Sequence, residues 1–170
     1  RIRVGVASTG DELVPSPAPH QIRDSNGPML AALAHALGAE VELRPALPDD
    51  PPALAAALRK PGDIRILLTS GGVSMGEHDH LPSVLKEAGA RILFHRIRLK
   101  PGKPMLAALL GDLLVLGLPG NPVSAYLNAL LFLRLALARL EGREAPDPWR
   151  RARLSAPVKH KGDQPSPRIE

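Results

Sequence analysis

The sequence contains no cysteine and very few aromatic residues. The absence of cysteine excludes disulfides and thiolate metal sites, and it fits a reducing, cytoplasmic compartment. Aromatic residues make up only 2% of the chain, so its core must consist of Leu, Ala, Val and Ile, which favours helices packed on a sheet. The same scarcity leaves almost no platform for stacking bases, so we expect no nucleic-acid partner despite the net charge of +5. A small, highly charged anion is the better match, and a GC-rich or thermophilic source is the alternative explanation of the basicity.

The chain also has no long uninterrupted apolar run. None reaches the roughly 18 residues that a membrane-spanning helix requires. The apolar run at residues 129–140 is interrupted by Arg134 and Arg139, which predicts a buried helix and no membrane partner. The sequence opens directly on a strand-like pattern, without an initiator Met or a signal peptide, and this predicts a piece of a longer chain.

Apolar periodicity predicts six strands that alternate with four helices. The strands are expected at residues 2–7, 40–44, 64–69, 91–99, 105–109 and 113–116. The helices are expected at residues 29–37, from 49–51 to about 60, at 81–87 and at 123–140. This alternation predicts a three-layer α/β/α domain with a mostly parallel sheet over residues 1–142.

Three further features refine this organisation. The short turn at Gly111 and Asp112 predicts one antiparallel pair of strands. Residues 143–150 are Pro-rich and charged, which is typical of a linker. Residues 151–170 begin to alternate again, which predicts the truncated start of a C-terminal β domain.

Four unusual loops follow predicted strands, at residues 8–13, 70–79, 100–104 and 117–124. Ligands gather at the carboxyl ends of the strands of an open α/β sheet, so these loops are expected to meet at one site. Their glycines let backbone N–H groups approach an anion closely, and the last loop brings the positive end of a helix to the same region. Lysines at residues 100 and 103 could clamp negative charges, and the acidic residues of the loops suit Mg²⁺.

Each of these features also has a plain structural explanation. Gly and Pro loops are mostly turns. Asp49, Asp24 and Ser25 are equally suited to capping helices. The histidines that flank Asp79 lack metal-ligand spacing, and Ser74 has no partner base in a recognisable motif, so neither a histidine metal site nor a nucleophilic serine is expected.

The four loops, in this order, resemble those of the molybdopterin molybdenumtransferase family, whose animal relative is the E domain of gephyrin. The strings Ser-Thr-Gly-Asp-Glu-Leu (8–13), Lys-Pro-Gly-Lys-Pro (100–104) and Gly-Leu-Pro-Gly-Asn-Pro-Val-Ser (117–124) match the family pattern throughout. Asp-Ser-Asn at 24–26, Asp-Asp-Pro at 49–51 and Ser-Gly-Gly-Val-Ser-x-Gly-x-x-Asp at 70–79 are similar to its other motifs. The resemblance spans about residues 2–142.

The resemblance implies the fold of the molybdopterin-binding adenylyltransferases. It also implies Mg²⁺-dependent insertion of molybdate into adenylylated molybdopterin, with release of AMP. By matched motif position, the catalytic acids that would hold Mg²⁺ are Glu12, Asp49 and Asp79. The basic groups that would neutralise phosphate and molybdate oxygens are Arg96, Lys100 and Lys103. The cradle for the pterin and phosphates would comprise Thr9, Gly10, Ser70, Gly71, Gly72, Ser74, Gly120, Asn121 and Pro122.

Family members act as homodimers, with the molybdopterin adenylyltransferase as their pathway partner. In the family, two further segments precede this domain, and one from the partner subunit completes the cleft. The family's later Gly-Arg-x-x-aromatic stretch is replaced here by Lys-Gly-Asp-Gln-Pro at 161–165. We therefore expect this piece alone to bind ligand weakly and to catalyse nothing.

Two alternatives remain open. The first is a stand-alone molybdopterin adenylyltransferase, which shares the fold but has a Gly-Gly-Thr-Gly loop where this chain has Gly-Gly-Val-Ser at 71–74. The second is a binding or scaffold module without catalysis, as the gephyrin E domain also is in receptor clustering. The intact site loops argue against the second alternative.

Overall fold

The computed structural model describes residues 1–59, 61–73 and 80–144, together with residues 147, 153 and 155. Its strands are β1 (Arg3–Ser8), β2 (Glu40–Leu43), β3 (Ile66–Ser70), β4 (Arg91–His95), β5 (Leu106–Leu110) and β6 (Leu113–Leu118). Its helices are α1 (Asn26–Ala36), α2 (Pro51–Arg59), α3 (Leu81–Glu87) and α4 (Pro122–Leu140). The predicted α/β class, with a mostly parallel sheet, is confirmed.

The six strands form one sheet in the order β2-β1-β3-β6-β5-β4. β1 pairs in parallel with β2 and β3, and β3 pairs in parallel with β6. β5 is antiparallel to both of its neighbours, which confirms the antiparallel pair predicted at the Gly111 turn. Five strands thus run in one direction, and their carboxyl ends share one edge of the sheet with the start of β5. We call this the carboxyl edge.

Alternating side chains of the strands build a core on each face of the sheet. In β3, Ile66 and Leu68 face α1 and α4, whereas Leu67 faces α2 and α3. All three side chains are at most 2% exposed. Because both faces are covered by helices, β3 reads as a continuous apolar run, which is typical of buried parallel strands.

Helix α4 is long and apolar enough to cross a membrane by length and composition alone. Its buried stripe consists of Ala125, Ala129, Leu133 and Leu137, which repeat every four residues and pack against the sheet and α1. The helix predicted as buried is therefore buried on one face, with 39% of its apolar 18-residue window inside the structure.

Several element boundaries differ from the prediction for local reasons. β4 ends at His95, not at residue 99, because Arg96 has a φ of +74° and leaves the extended conformation. α1 begins at Asn26, ahead of residue 29, because Asp24 Oδ1 accepts the N–H of Gly27 at 2.9 Å and caps the first turn. The predicted linker at 143–150 and β domain at 151–170 fall mostly on residues outside the described ones, and they stay predictions.

Candidate functional site

A cleft of about 190 Å³ opens at the carboxyl edge, where β1 and β3 end. The loops after β1, β3 and β6 and the start of α1 form its walls. Nine of its fifteen lining residues have polar side chains, and the full set comprises Ser8, Thr9, Glu12, Leu13, Ile22, Arg23, Asp24, Ser25, Asn26, Asp49, Ser70, Gly71, Gly72, Gly120 and Pro122.

Backbone hydrogen bonds carry the sheet ladder into the cleft. The N–H of Thr9 donates to the carbonyl of Ser70 at 2.8 Å, and the N–H of Gly71 donates to the carbonyl of Leu118 at 3.0 Å. The loops that follow β1, β3 and β6 are therefore held in register beyond the strands themselves. A site built from loops fixed in this way is preorganised for a ligand.

The floor of the cleft between β3 and β6 is bare backbone. Gly71 has a φ of +99°, and a Cβ there would lie 2.6 Å from both the carbonyl oxygen and Oγ1 of Thr9. The nearest atom to a Cβ at Gly120 would be the Cα of Gly71, at 3.9 Å. No side chain separates the two glycines, so a ligand can reach the main chain on both sides.

Two helices begin at this cleft. Asn26 is the first residue of α1 and Pro122 the first residue of α4, and both line it. The amino ends of helices carry partial positive charge, so the part of the cleft beside these two helix starts favours an anion. Asn121 serves α4 directly, because its Oδ1 accepts the N–H of Ser124 at 3.2 Å, and it is not among the lining residues.

Asn26 connects three walls of the cleft. Its Nδ2 donates to Ser70 Oγ and to the carbonyl of Gly120, both at 2.7 Å, and Ser70 Oγ donates in turn to the carbonyl of Pro119 at 3.2 Å. The sequence indicated Asn26 only as part of a motif at a helix start. A sequence signal was available, because Asp24 and Ser25 already offer two capping side chains for α1. The neighbouring amide of Asn26 is therefore not needed as a cap and is available for another contact.

Three carboxylates line the cleft, and they have different surroundings. Asp24 Oδ1 accepts from Ser8 Oγ at 2.8 Å and from the N–H of Gly27 in the first turn of α1, so this residue has a structural role. The carboxylate of Glu12 folds back over Gly10, where a Cβ would collide with it. Gly10 thereby gives Glu12 its position without lining the cleft itself.

Asp49 lies on the cleft wall just before α2. Its N–H donates to Asp11 Oδ1 at 3.1 Å, which fixes the backbone there. The side chain that caps α2 is that of Asp50, whose Oδ2 accepts the N–H of Ala53 at 3.0 Å. Within the described residues, no group of three or more His, Asp or Glu side chains could hold a metal ion, and Asp79 lies outside those residues.

The predicted basic residues lie farther along the same edge and do not line the cleft. Arg96, Lys100 and Lys103 are exposed on the connection between β4 and β5. That connection meets the loop after β3 where His95 Nε2 lies 3.1 Å from the carbonyl oxygen of Val73. Arg23, which the sequence did not single out, is the arginine among the lining residues. Ser74 lies outside the described residues.

The fold and the cleft define an α/β domain with an anion-type site at the carboxyl ends of its strands. The chain belongs to the family described as "Probable molybdopterin binding domain", whose model matches residues 5–139. The resemblance stated from the sequence motifs is thus confirmed.

Relatives of known name extend well beyond this chain. It is 41% identical over 142 residues to the molybdopterin molybdenumtransferase of Synechococcus elongatus, which covers 79% of this chain and 35% of that protein. It is 37% identical over 148 residues to the Haemophilus influenzae protein of the same name, covering 85% and 36%. The chain therefore spans about a third of the length of these curated relatives.

Solved structures show the same fold. The molybdopterin biosynthesis MoeA protein of Pyrococcus horikoshii superposes with a TM-score of 0.75 at 33% identity, over 84% of this chain and 36% of that one. The molybdopterin biosynthesis enzyme MoaB of Thermus thermophilus superposes with a TM-score of 0.64 at 23% identity, over 85% of this chain and 99% of that one. The second likeness concerns the fold alone.

Proposed function

We propose that the full-length protein acts in molybdenum cofactor biosynthesis and inserts molybdate into adenylylated molybdopterin, with release of AMP. This chain supplies the molybdopterin-binding part of that enzyme. The observation that carries the proposal is the cleft itself, where Glu12 and Asp49 share one pocket with the bare backbone of Gly71 and Gly120. Membership of the molybdopterin-binding family supports the same conclusion.

The phosphate end of the substrate fits this cleft best. The amino ends of α1 and α4 and the glycine backbone offer N–H groups and partial positive charge without bulky side chains. The volume of about 190 Å³ is below the roughly 300–1,000 Å³ typical of pockets for drug-sized ligands. We therefore assign the cleft to the phosphates with the adjoining part of the pterin, which leaves the rest of the ligand to segments beyond this chain.

Glu12 and Asp49 fit a magnesium ion. Carboxylate oxygens are hard ligands, and Mg²⁺ is usually held by one or two carboxylates together with phosphate oxygens and waters, so two such side chains suffice. Asp79 is the third ligand proposed from the motif. When bound, the ion would neutralise negative charge on phosphate and molybdate oxygens.

The exposed cations Arg96, Lys100 and Lys103 would serve the other end of the reaction. Cleaving the bond between the two phosphates builds charge on oxygens, and fixed cations stabilise that charge. These side chains belong to the connection that contacts Val73, outside the cleft lining. We therefore assign them to molybdate and to the side of the phosphates that faces away from the cleft.

The partners and location follow from the same proposal. The full-length protein would work as a homodimer in the cytoplasm, and a molybdopterin adenylyltransferase would supply its substrate. The chain covers about 35% of its relatives, so the remaining two thirds have room for the segments that complete the cleft.

The test is an assay of the purified full-length protein with adenylylated molybdopterin, molybdate and Mg²⁺, in which AMP release and molybdenum insertion are measured. Glu12→Gln removes a carboxylate that lines the cleft, and it should lower the rate at least about tenfold, as lost metal-site contacts do. Glu87→Gln, an exposed change at the end of α3, is the matched control.

Two outcomes would contradict the proposal, and a third would change the assignment of Glu12. ATP-dependent adenylylation of molybdopterin, without molybdate insertion, would assign the protein to the adenylyltransferase reaction. Ligand binding without any turnover by the full-length protein would assign it to binding or scaffolding. Equal activity of Glu12→Gln and wild type would remove Glu12 from the site.

A further inference from the structure

Asn128 is the exceptional residue of helix α4. It is fully buried, on a helix whose other core positions are occupied almost entirely by Ala and Leu. Burying an amide costs free energy unless its polar atoms find partners. Asn128 Oδ1 is buried without a partner among the described residues, so the hydrogen bond made by Nδ2 must account for an amide at this position.

That partner is the turn between the two loop lysines. Asn128 Nδ2 donates to the carbonyl of Gly102 at 2.9 Å. Gly102 is itself buried and has a φ of +117°, and a Cβ there would lie 2.8 Å from Asn128 Oδ1. The turn therefore packs directly on the helix, with Lys100 and Lys103 exposed on either side of the contact.

The ends of the same loop are joined by backbone hydrogen bonds. The N–H of Arg96 donates to the carbonyl of Met105 at 2.6 Å, and the N–H of Ile97 donates to the carbonyl of Lys103 at 3.0 Å. These two bonds close the base of the loop next to the sheet. Asn128 is the side chain of the described residues that donates to the tip of the loop.

The anchor leaves the charges of the loop free. Four cations occur between residues 96 and 103, all are exposed, and none has an ion pair within the part of the chain that the structure describes. The Gly102 carbonyl needs a donor, which an ionised carboxylate cannot supply, and the neutral amide supplies it without adding charge to the loop. The loop is thus fixed in place while its positive charge stays available to an anion.

We propose that Asn128 is a positioning residue, which holds the Lys100–Lys103 turn where its cations meet the oxyanion substrate. The proposal rests on the proposed function of those lysines. Asn128, a buried helix residue that does not line the cleft, would thereby control the affinity for molybdate.

The test uses the full-length protein and two variants, Asn128→Leu and Asn128→Ala. Leu keeps the side-chain volume and Ala reduces it, and both remove the donor to Gly102. Hydrogen–deuterium exchange of the peptide at residues 96–105 should become about tenfold faster in both variants. Leu54→Ala is the control, because it truncates a buried residue of α2 whose core cluster lies on the other face of the sheet and contains no residue of 96–105. It should leave exchange in that peptide unchanged.

Kinetics supplies the second measurement. The KM for molybdate should rise about tenfold in the Asn128 variants, because a displaced cation binds the oxyanion less tightly. Their kcat should fall less than that of Lys100→Ala, which removes a cation that stabilises charge in the transition state. Unchanged exchange at 96–105, an unchanged KM, or the same changes in Leu54→Ala would overturn the positioning role. Full activity of Lys100→Ala would instead overturn the proposed function of the loop, and the exchange result identifies which of the two has failed.

Discussion

Gly71 provides the sharpest test of the cleft geometry, through its replacement by alanine. A residue with a Cβ held at a φ of +99° costs about 1–3 kcal/mol in backbone strain. The added methyl would also lie 2.6 Å from the Thr9 carbonyl oxygen, and overpacking of this kind costs about 1–3 kcal/mol more. We therefore expect Gly71→Ala to destabilise the domain by about 2–6 kcal/mol.

Relaxation cannot remove this cost easily. The carbonyl of Thr9 shares a peptide plane with the N–H of Gly10, which donates to the carbonyl of Leu47 at 3.1 Å. The N–H of Thr9 is held as well, by the carbonyl of Ser70. The contact that the methyl would meet is thus fixed from both sides, unlike the far end of a flexible side chain.

Alanine replacements at two other glycines separate the cost of backbone strain from the cost of the steric clash. Gly111 has a φ of +57° with no atom near an added Cβ, so Gly111→Ala should cost only the left-handed penalty of about 1–2 kcal/mol. A Cβ added at Gly120 would make only ordinary contact, at 3.9 Å. Gly120→Ala should therefore change stability by less than about 0.5 kcal/mol, while it narrows the cleft. Calorimetry of the three variants measures the series, at about 2–4 °C per kcal/mol. A loss in Gly71→Ala no larger than that in Gly111→Ala would refute the close approach of the β1 and β3 loops.

Three further predictions concern the site. Lys100→Ala should lower kcat/KM for molybdate insertion about 30- to 1,000-fold, as lost oxyanion donors do, with the unfolding temperature within about 1 °C of wild type; unchanged kinetics would rule out its role. Asn26→Ala removes the donor shared by two cleft loops, and it should lower the free energy of chemical unfolding by about 1–3 kcal/mol. Ser25→Ala changes an exposed neighbour without a capping bond and should cost less than about 0.5 kcal/mol. Equal losses would contradict the role of Asn26 in joining the two loops. Asp24→Ala should cost about 1–2 kcal/mol and Asp24→Asn less, because the amide keeps the oxygen that caps α1; the reverse order in the same assay would show that charge, not capping, matters.

The architecture was predictable because its signals are local. Glycines at residues 38, 89 and 111 have positive φ values and mark the ends of elements, and the apolar periodicity lies between them. The end of β4 was not predictable, because residues 96–99 continue the alternating pattern of the strand. The backbone of Arg96 turns away there to close the loop on Met105, a contact between residues nine apart in the chain.

The site was predictable only as far as strand direction determines it. Loops after parallel strands share an edge, and this rule brings Glu12, Asp49, Gly71 and Gly120 into one cleft. The rule does not give the order of strands within the sheet. β4 lies three strand positions from β3, which at 4.7–4.9 Å per position is about 14 Å, so the basic loop lies beside the cleft and not in it.

Asn128 and Asn26 show a second gap in sequence reasoning. Each is an amide on a helix, and each matters through a backbone carbonyl that is distant in the chain: Gly102 for the first and Gly120 for the second. Helical periodicity shows that position 128 faces inward, but it cannot show that a carbonyl arrives there. Such residues become visible only when the tertiary contact is known.

Under the proposed function, the distance between the acids and the cations is a requirement of the site. If Lys100 lay within ion-pair distance of Glu12, the two charges would neutralise each other and hold neither Mg²⁺ nor molybdate. No ion pair joins Glu12 to a base in the described residues, and the basic loop is kept apart by the strands between. The contact between His95 and Val73 and the bond from Asn128 to Gly102 fix that separation. A substrate with a chain of phosphates can then reach an acidic end that takes a metal ion and a basic end that takes an oxyanion, which a merged cluster of the same residues would not offer.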